Sequence, residues 1–490
     1  MSAKGLFSRT GSALEENDCC AVPHAKPNKV AIIGSGAAAF AAAIRLQEEC
    51  AEVTMVERGT TGGTCVNTGC VPSKILISAA HVAHVRTSSP FDGGVSVVSP
   101  VVNRAALQAQ QQARVDELRN AKYESILENS DNIRLVHGEA RFLDGHTLLI
   151  RRDDGRQQSL AFDRALIATG ASPAIPPVPG LDSTPYWTST EALASPQLPE
   201  HLIVYGGSYV ALELAQAFLR LGSRVTMIVR SRILSRSDHA IGAAIQQVLI
   251  DEGMRIITGN QIERVQYDGK RFTIEVGGES IHGNRLLIAT GRRPNTSRLA
   301  LQNASVLTNE NGTICVDDFL CTSNSHIYAA GDCTTNPEYV YVAAAAGTRA
   351  AMNMLGGSER LDLSVVPSVI FTDPQIATVG LDEAAALRIG TRVDTRTLTL
   401  DNVPRALADF DTRGFVKLVA EPGTGRLLGV QAVASQTGEL IQTAALAIRA
   451  QMTVHDLSSQ LFPYLTMVEG IKLAAQSFTK GVKQLSCCAG

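Results

Sequence analysis

Two cysteines with four residues between them, Cys65 and Cys70, stand in the segment GGTCVNTGCVPSK at 62–74. Such a pair can cycle between dithiol and disulfide or offer two soft ligands to a metal ion. It can also be two buried thiols or half of a metal site. The surrounding glycines and proline, and a glycine-rich turn upstream, favour redox chemistry. The spacing places the pair near the start of a helix, whose dipole stabilises a thiolate. Lys74 follows Cys70 by about one helical turn and adds positive charge.

Glycine patterns supply two further sites. Gly34-x-Gly36-x-x-Ala39 lies between a predicted strand, VAIIGSG, and an alanine-rich helix. Glycines at those positions allow a tight turn and close backbone approach to a pyrophosphate, with the helix N-terminus facing the charge. Glu57 ends the next strand, VTMVE, where a carboxylate accepts a ribose hydroxyl. A second pattern, Gly206-Gly207-Ser208-Tyr209-Val210-Ala211, follows HLIVYGG. Ser208 replaces the middle glycine. The acid position after the next strand holds Arg230, with Arg232 and Arg236 close by, which suits the extra phosphate of NADP rather than the ribose of NAD. Solvated arginines are the plain alternative.

These sites need a large scaffold. The chain has 490 residues, enough for three or four domains. Hydrophobic residues make up 45% and charged residues 19%, an ordinary globular balance. A net charge of −3 without a basic block speaks against nucleic acid. The longest apolar candidate, Val30 to Ile44, is interrupted by Gly34, Ser35 and Gly36, so no membrane insertion is expected. The first residues lack a signal peptide's apolar stretch, and the expected compartment is the cytoplasm. The repetition of ALIATG (165–170) by LLIATG (286–291) suggests a duplicated dinucleotide fold, the second copy inserted into the first. The pattern predicts an α/β protein: a leader at 1–28, a first dinucleotide fold at 29–172 and 296–365, a second at 173–295, and a C-terminal α/β domain at 366–490.

Together, GGTCVNTGCVPSK, ATGRRPN and YAAGDC resemble the flavoprotein pyridine nucleotide–disulfide oxidoreductases over roughly residues 29 to 490. The resemblance implies two Rossmann-like domains, FAD on the first and NADPH on the second, and a homodimer whose active sites are completed by the partner's C-terminal domain. It implies Gly34, Gly36, Ala39, Glu57, Thr64, Lys74, Ala140, Thr169, Gly170 and Asp332 around FAD. Gly206, Ser208, Ala211, Glu213, Arg230, Arg232 and Gly291 fall on the NADPH side, with Glu213 paired to Lys74. It makes Cys70 the flavin-side sulfur and Cys65 the more exposed, exchanging thiol.

Disulfide reductases of this family carry a histidine near the C-terminus as the acid for the departing thiolate. Here FPYLTMVEG (462–470) puts Tyr464 in its place, with Thr466 and Glu469 retained. A phenol with an ordinary pKa near ~10 is a poor acid for that step. The chain ends LSCCAG, and the adjacent Cys487 and Cys488 cannot easily close a relaxed disulfide but can present two sulfurs to a soft ion. These features resemble the branch that reduces mercury(II). That resemblance implies Hg(II) held by Cys65 and Cys70, delivered by the partner's Cys487 and Cys488, with Tyr123 and Tyr464 as polar neighbours. Members of that branch often begin with a GMTCxxC module; this chain has only Cys19-Cys20 before Lys29, read as incidental. A disulfide or dihydrolipoamide reductase is the alternative, and a non-catalytic thiol metal binder the distant one.

The arginine at the acid position gives a first prediction. Arg230→Glu is expected to lower kcat/KM for NADPH relative to NADH in steady-state kinetics; an unchanged ratio contradicts the assignment.

Overall fold

The computed structural model describes residues 29–482. The leader with Cys19 and Cys20, and the tail thiols Cys487 and Cys488, lie outside the described residues. The first sheet holds five parallel strands in the order Ile327–Ala329, Arg164–Ile167, Lys29–Ile33, Glu52–Glu57, Ile133–His137. Its central strand reads KVAII with four of five residues buried, as a parallel strand covered on both faces requires. Helix α1 (Ala37–Glu48) follows it directly. The second sheet holds four parallel strands in the order Arg255–Thr258, Arg224–Val229, His201–Tyr205, Arg285–Ile288. The strand Ile327–Ala329 returns to the first sheet after the second is complete.

Three helices then carry the chemistry-bearing segment. α2 spans Gly63–Asn67, α3 spans Cys70–Thr87, and α4 spans Arg104–Arg119. In the second fold, α5 (Tyr209–Arg220) starts at Ser208 as its N-cap, and α6 covers His239–Asp251. Helix α7 (Val340–Met354) packs against α1. The C-terminal part is a five-stranded antiparallel sheet, ordered Ser368–Ile370, Gln375–Gly380, Leu427–Ala434, Phe415–Ala420, Asp394–Thr399. Helices α8 (Thr437–Arg449) and α9 (Glu469–Gln476) pack on it through Leu440, Ile441, Ala444 and Ile471.

Ion pairs lock the C-terminal sheet to the dinucleotide folds. Lys417, buried in its strand, reaches Asp238 Oδ2 at 2.8 Å and Glu383 Oε2 at 2.6 Å. Arg220, at the end of α5 and only 4% exposed, binds Asp373 Oδ2 at 2.7 Å and Glu252 Oε1 at 2.5 Å. His81 of α3 faces the same Asp373 carboxylate at 3.2 Å, and Arg413 closes the cluster at 3.3 Å. Gln216 of α5 exchanges two hydrogen bonds with the Asp373 backbone, at 2.7 and 2.8 Å. A buried guanidinium left without its carboxylate is costly, on the order of 3–5 kcal/mol.

Burial raises the pKa of Asp373, but the bond to His81 and the charges of Arg220 and Arg413 outweigh it and leave the carboxyl well below its ordinary range. A depressed folded-state pKa adds stability that is complete above the unfolded value of about 3.9 and lost as pH falls below it. The thermal stability of the wild type is therefore expected to fall below about pH 4. Asp373→Asn should melt lower at neutral pH and with a flatter acid dependence; equal acid slopes would count against this cluster.

Candidate active site

Gly34 turns at φ +111°, and a Cβ there would stand 2.3 Å from the Ala168 carbonyl oxygen. Only glycine lets the chain leave its strand this close to the neighbouring one. Gly36 then caps α1, and Ala39 is fully buried beneath it. Glu57 is fixed at the mouth of this turn: Ser35 Oγ donates to its Oε2 at 2.7 Å and the Gly59 amide to its Oε1 at 2.6 Å. Thr169 lies on the loop after Arg164–Ile167, its buried Oγ1 without a partner among the described residues, with Gly170 beside it at φ +63°. Asp332 is raised in pKa by burial, with Arg292 3.6 Å away opposing the shift. Ala140 is buried one strand away, next to Glu139.

The cysteine turn is pressed onto this loop. Gly63 opens α2 at φ +66°, and its missing Cβ would lie 2.7 Å from the Gly36 Cα. The Gly62 amide donates to the Ser35 carbonyl at 3.0 Å. Thr64 and Cys65 therefore sit directly over the dinucleotide turn. Asn67, between the two cysteines, donates to the carbonyls of Thr61 and Gly63, both at 2.9 Å. Cys70 is the first residue of α3, where helix amides and dipole favour an anion.

Both thiols are unbridged. The neighbouring Cys65 thiol draws the Cys70 pKa down to about 7, with help from Lys74 and against burial. The same interaction, with burial, pushes Cys65 strongly up. Cys70 is therefore the first of the two to ionise, about half so at pH 7. In the single chain Cys70 is exposed and Cys65 half-buried.

Lys74 Nζ meets Glu213 Oε2 at 2.7 Å, and the Glu213 side chain is 6% exposed. The other oxygen, Oε1, accepts the Phe371 backbone amide at 2.9 Å. Lys74 also lies 4.6 Å over the Phe371 ring. One carboxylate on α5 thus joins the cysteine helix to the C-terminal domain. Tyr123 sits on a π-helical turn, Asn120–Glu124, edge-on to Phe40 at 4.9 Å. Burial and the two nearby sulfurs raise its pKa.

In the second fold Gly206 repeats the geometry of Gly34, at φ +139° with a Cβ position 2.1 Å from the Ala289 carbonyl oxygen. Ala211 is fully buried, and Gly291 stands at φ +132° on the facing loop. Arg230 is exposed at the end of its strand. Arg232 is engaged otherwise, donating to the carbonyls of Leu234, Ser235 and Ser237 at 3.1, 2.9 and 2.8 Å. It holds the loop that presents Arg230 and Arg236.

Tyr464 is 60% exposed on the C-terminal domain, followed by Leu465 in a left-handed conformation. Glu469 is buried at the start of α9, raised in pKa by that burial, and its Oε2 lacks a partner among the described residues. Ser35, Asn67 and Phe371 escape sequence reasoning. Asn67 had a signal, a side-chain amide inside a tight turn, but Phe371 had none, because it arrives from a separate domain.

Two glycine-hinged dinucleotide folds, with a thiol pair seated on the first, define an oxidoreductase that moves electrons between a nucleotide and sulfur. The comparisons give the family. Residues 28–347 match the pyridine nucleotide-disulphide oxidoreductase model, and residues 366–475 match that family's dimerisation domain. The chain belongs to the pyridine nucleotide-disulphide oxidoreductases. A mercuric reductase from Acidithiobacillus ferrooxidans is 57% identical over 100% of this chain and 88% of its own length. One from Shigella flexneri is 58% identical over 99% and 86% respectively. Among solved structures, the HOCl-induced flavoprotein disulfide reductase RclA from Escherichia coli superposes with a TM-score of 0.82 at 29% identity, covering 92% of this chain and 100% of its own. Among the described residues no helix is long and apolar enough to cross a membrane.

Lys74 lowers the Cys70 pKa and Glu213 raises it. At slightly acidic pH, iodoacetamide should therefore alkylate Cys70 more slowly in Lys74→Met and faster in Glu213→Gln, read by mass spectrometry. Identical rates in all three proteins would remove the ion pair from the account.

Proposed function

We propose that this protein reduces Hg(II) to Hg(0) with electrons from NADPH, through FAD and the Cys65/Cys70 pair, and serves mercury detoxification. The observation that carries the proposal is the combination of that thiol pair with Tyr464 in a chain 57% identical to a mercuric reductase over 88% of that relative's length.

The residues present fit both cofactors. The turn at Gly34 and Gly36, the fixed Glu57 carboxylate and the unpartnered Thr169 hydroxyl match a dinucleotide on the first fold. Thr64, Lys74, Ala140, Gly170 and Asp332 would line its remaining length. On the second fold Gly206, Ser208, Ala211 and Gly291 would cradle a pyrophosphate, and the exposed Arg230 would meet the 2′-phosphate. Bound FAD supplies two-electron exchange between a nicotinamide and a dithiol.

Cys65 and Cys70 would take the metal ion as a dithiolate. Capture replaces the incoming ligands by these two sulfurs, and the Cys65 proton passes to a departing thiolate or to solvent. Cys70, already partly a thiolate at neutral pH, would attack first. Two electrons originating on NADPH then end on mercury, both sulfur bonds break, and the pair is left as thiolates. Tyr123 would face the ion from its own chain. Tyr464, with Cys487 and Cys488, would come from the partner of a homodimer built on the C-terminal domain. The adjacent terminal thiols would receive Hg(II) from solution and pass it to Cys65 and Cys70 by ligand exchange, sulfur to sulfur.

A disulfide reductase is the competing reading, favoured by the architecture shared with RclA. Tyr464 separates the two, since it offers no imidazole acid to a departing thiolate.

Purified protein with excess small thiol should oxidise NADPH only when Hg(II) is added and should release mercury vapour. Cys65→Ala and Cys70→Ala should abolish this. With tightly chelated Hg(II), a mixture of a Cys65→Ala/Cys70→Ala chain and a Cys487→Ala/Cys488→Ala chain should exceed both parents in activity through hybrid dimers. Turnover of oxidised glutathione or lipoamide without Hg(II) turnover would replace the proposal with the competing reading.

A further inference from the structure

The helix that carries Tyr123 does not run regularly. Helix α4 ends at Arg119, five residues wind as a π turn, and a short α-helix, Ser125–Glu128, continues. A π turn adds one residue to the helix and rotates the side chains that follow by about 100°. Tyr123 lies inside that turn. Its ring packs against Phe40 and borders the site where a Gly62 side chain would stand, with Cδ2 3.2 Å from that Cβ position. Gly62 opens the cysteine segment, so the turn sets the ring against the start of that segment.

Arg119 spans the junction. Its Nη1 donates to Asn67 Oδ1 at 3.1 Å, its Nε to Glu124 Oε1 at 3.1 Å and its Nη2 to Asp116 Oδ1 at 2.8 Å. Asn67 lies between the cysteines and spends both amide hydrogens on the Thr61 and Gly63 carbonyls. Asp116 lies one turn before the π turn and Glu124 is its last residue. One planar guanidinium therefore ties the helix before the turn to the end of the turn and to the loop between Cys65 and Cys70. A lysine, with a single nitrogen, cannot occupy all three directions.

We infer that Arg119 is a positioning residue which, through Asn67 and the π turn, sets Tyr123 against the cysteine pair. This rests on the reading of Tyr123 as a neighbour of bound Hg(II). If Arg119 acts through Tyr123, removing both side chains costs no more than removing the phenol hydroxyl alone.

The test uses full-length, flavin-loaded protein with Hg(II) presented as a small-thiol complex, and compares wild type, Tyr123→Phe, Arg119→Met, Arg119→Lys and Tyr123→Phe/Arg119→Met. Tyr123→Phe and Arg119→Met should each lower kcat by roughly ten- to a hundredfold, the upper figure being the scale of a group misplaced by about 1 Å. The double variant should match Tyr123→Phe, and Arg119→Lys should fall between wild type and Arg119→Met. The ultraviolet titration of Tyr123, assigned by its loss in Tyr123→Phe, should shift back toward an ordinary phenol in both Arg119 variants. Multiplicative losses in the double variant, or an unmoved titration, would overturn the inference and leave Arg119 a stabilising residue. If Arg119→Met does not fold, Arg119→Lys decides on the same two readouts. Wild-type turnover in Tyr123→Phe would instead sink the reading of Tyr123, a result distinct from additivity at Arg119.

Discussion

The charge of the Cys65/Cys70 pair settles on Cys70, at the start of α3, and the site depends on what holds it there. The interaction of the two thiols draws Cys70 down to about 7 and pushes Cys65 up. A thiolate removed from water is costly unless something opposes its charge. The helix N-terminus and Lys74 do so here. Lys74 is in turn steadied by Glu213, from the other dinucleotide fold, and Glu213 is steadied by the Phe371 amide, from the C-terminal domain. The charge on one sulfur thus draws on three regions of the chain. The Arg220, Glu252 and Asp373 cluster a few turns further along α3 and α5 holds those regions in register.

Close backbone approach is the second constraint. The cysteine turn reaches the dinucleotide loop because Gly63 has no side chain to strike Gly36, and the loop leaves its sheet because Gly34 has none to strike Ala168. Electron transfer between a flavin and sulfur needs the two in contact, and these glycines bring the thiols to that loop.

Local chemistry is what the sequence makes legible. Gly34, Gly36, Glu57 and the Gly206 turn follow from strand, turn and helix signals within about 30 residues. The thiol pair, Lys74 and the parallel-sheet architecture are readable for the same reason. Glu213 required the family resemblance, since it lies 139 residues from Lys74. Phe371 and Asp373 were not readable at all, because the backbone amide of the one and the carboxylate of the other meet partners from a different domain. Arg232 shows the limit of composition: three arginines near the second nucleotide turn look equivalent in sequence, yet Arg232 is bound to three carbonyls while Arg230 stays exposed.

The central claim is that Cys65 hands Cys70 its charge. The direct measurement is the pH profile of Cys70 alkylation in the reduced protein, compared with Cys65→Ala. The account predicts a midpoint of about 7 in the wild type and a clearly higher one once the Cys65 thiol is removed. A wild-type midpoint at the ordinary thiol value of about 8.5, or one that Cys65→Ala leaves in place, would contradict it.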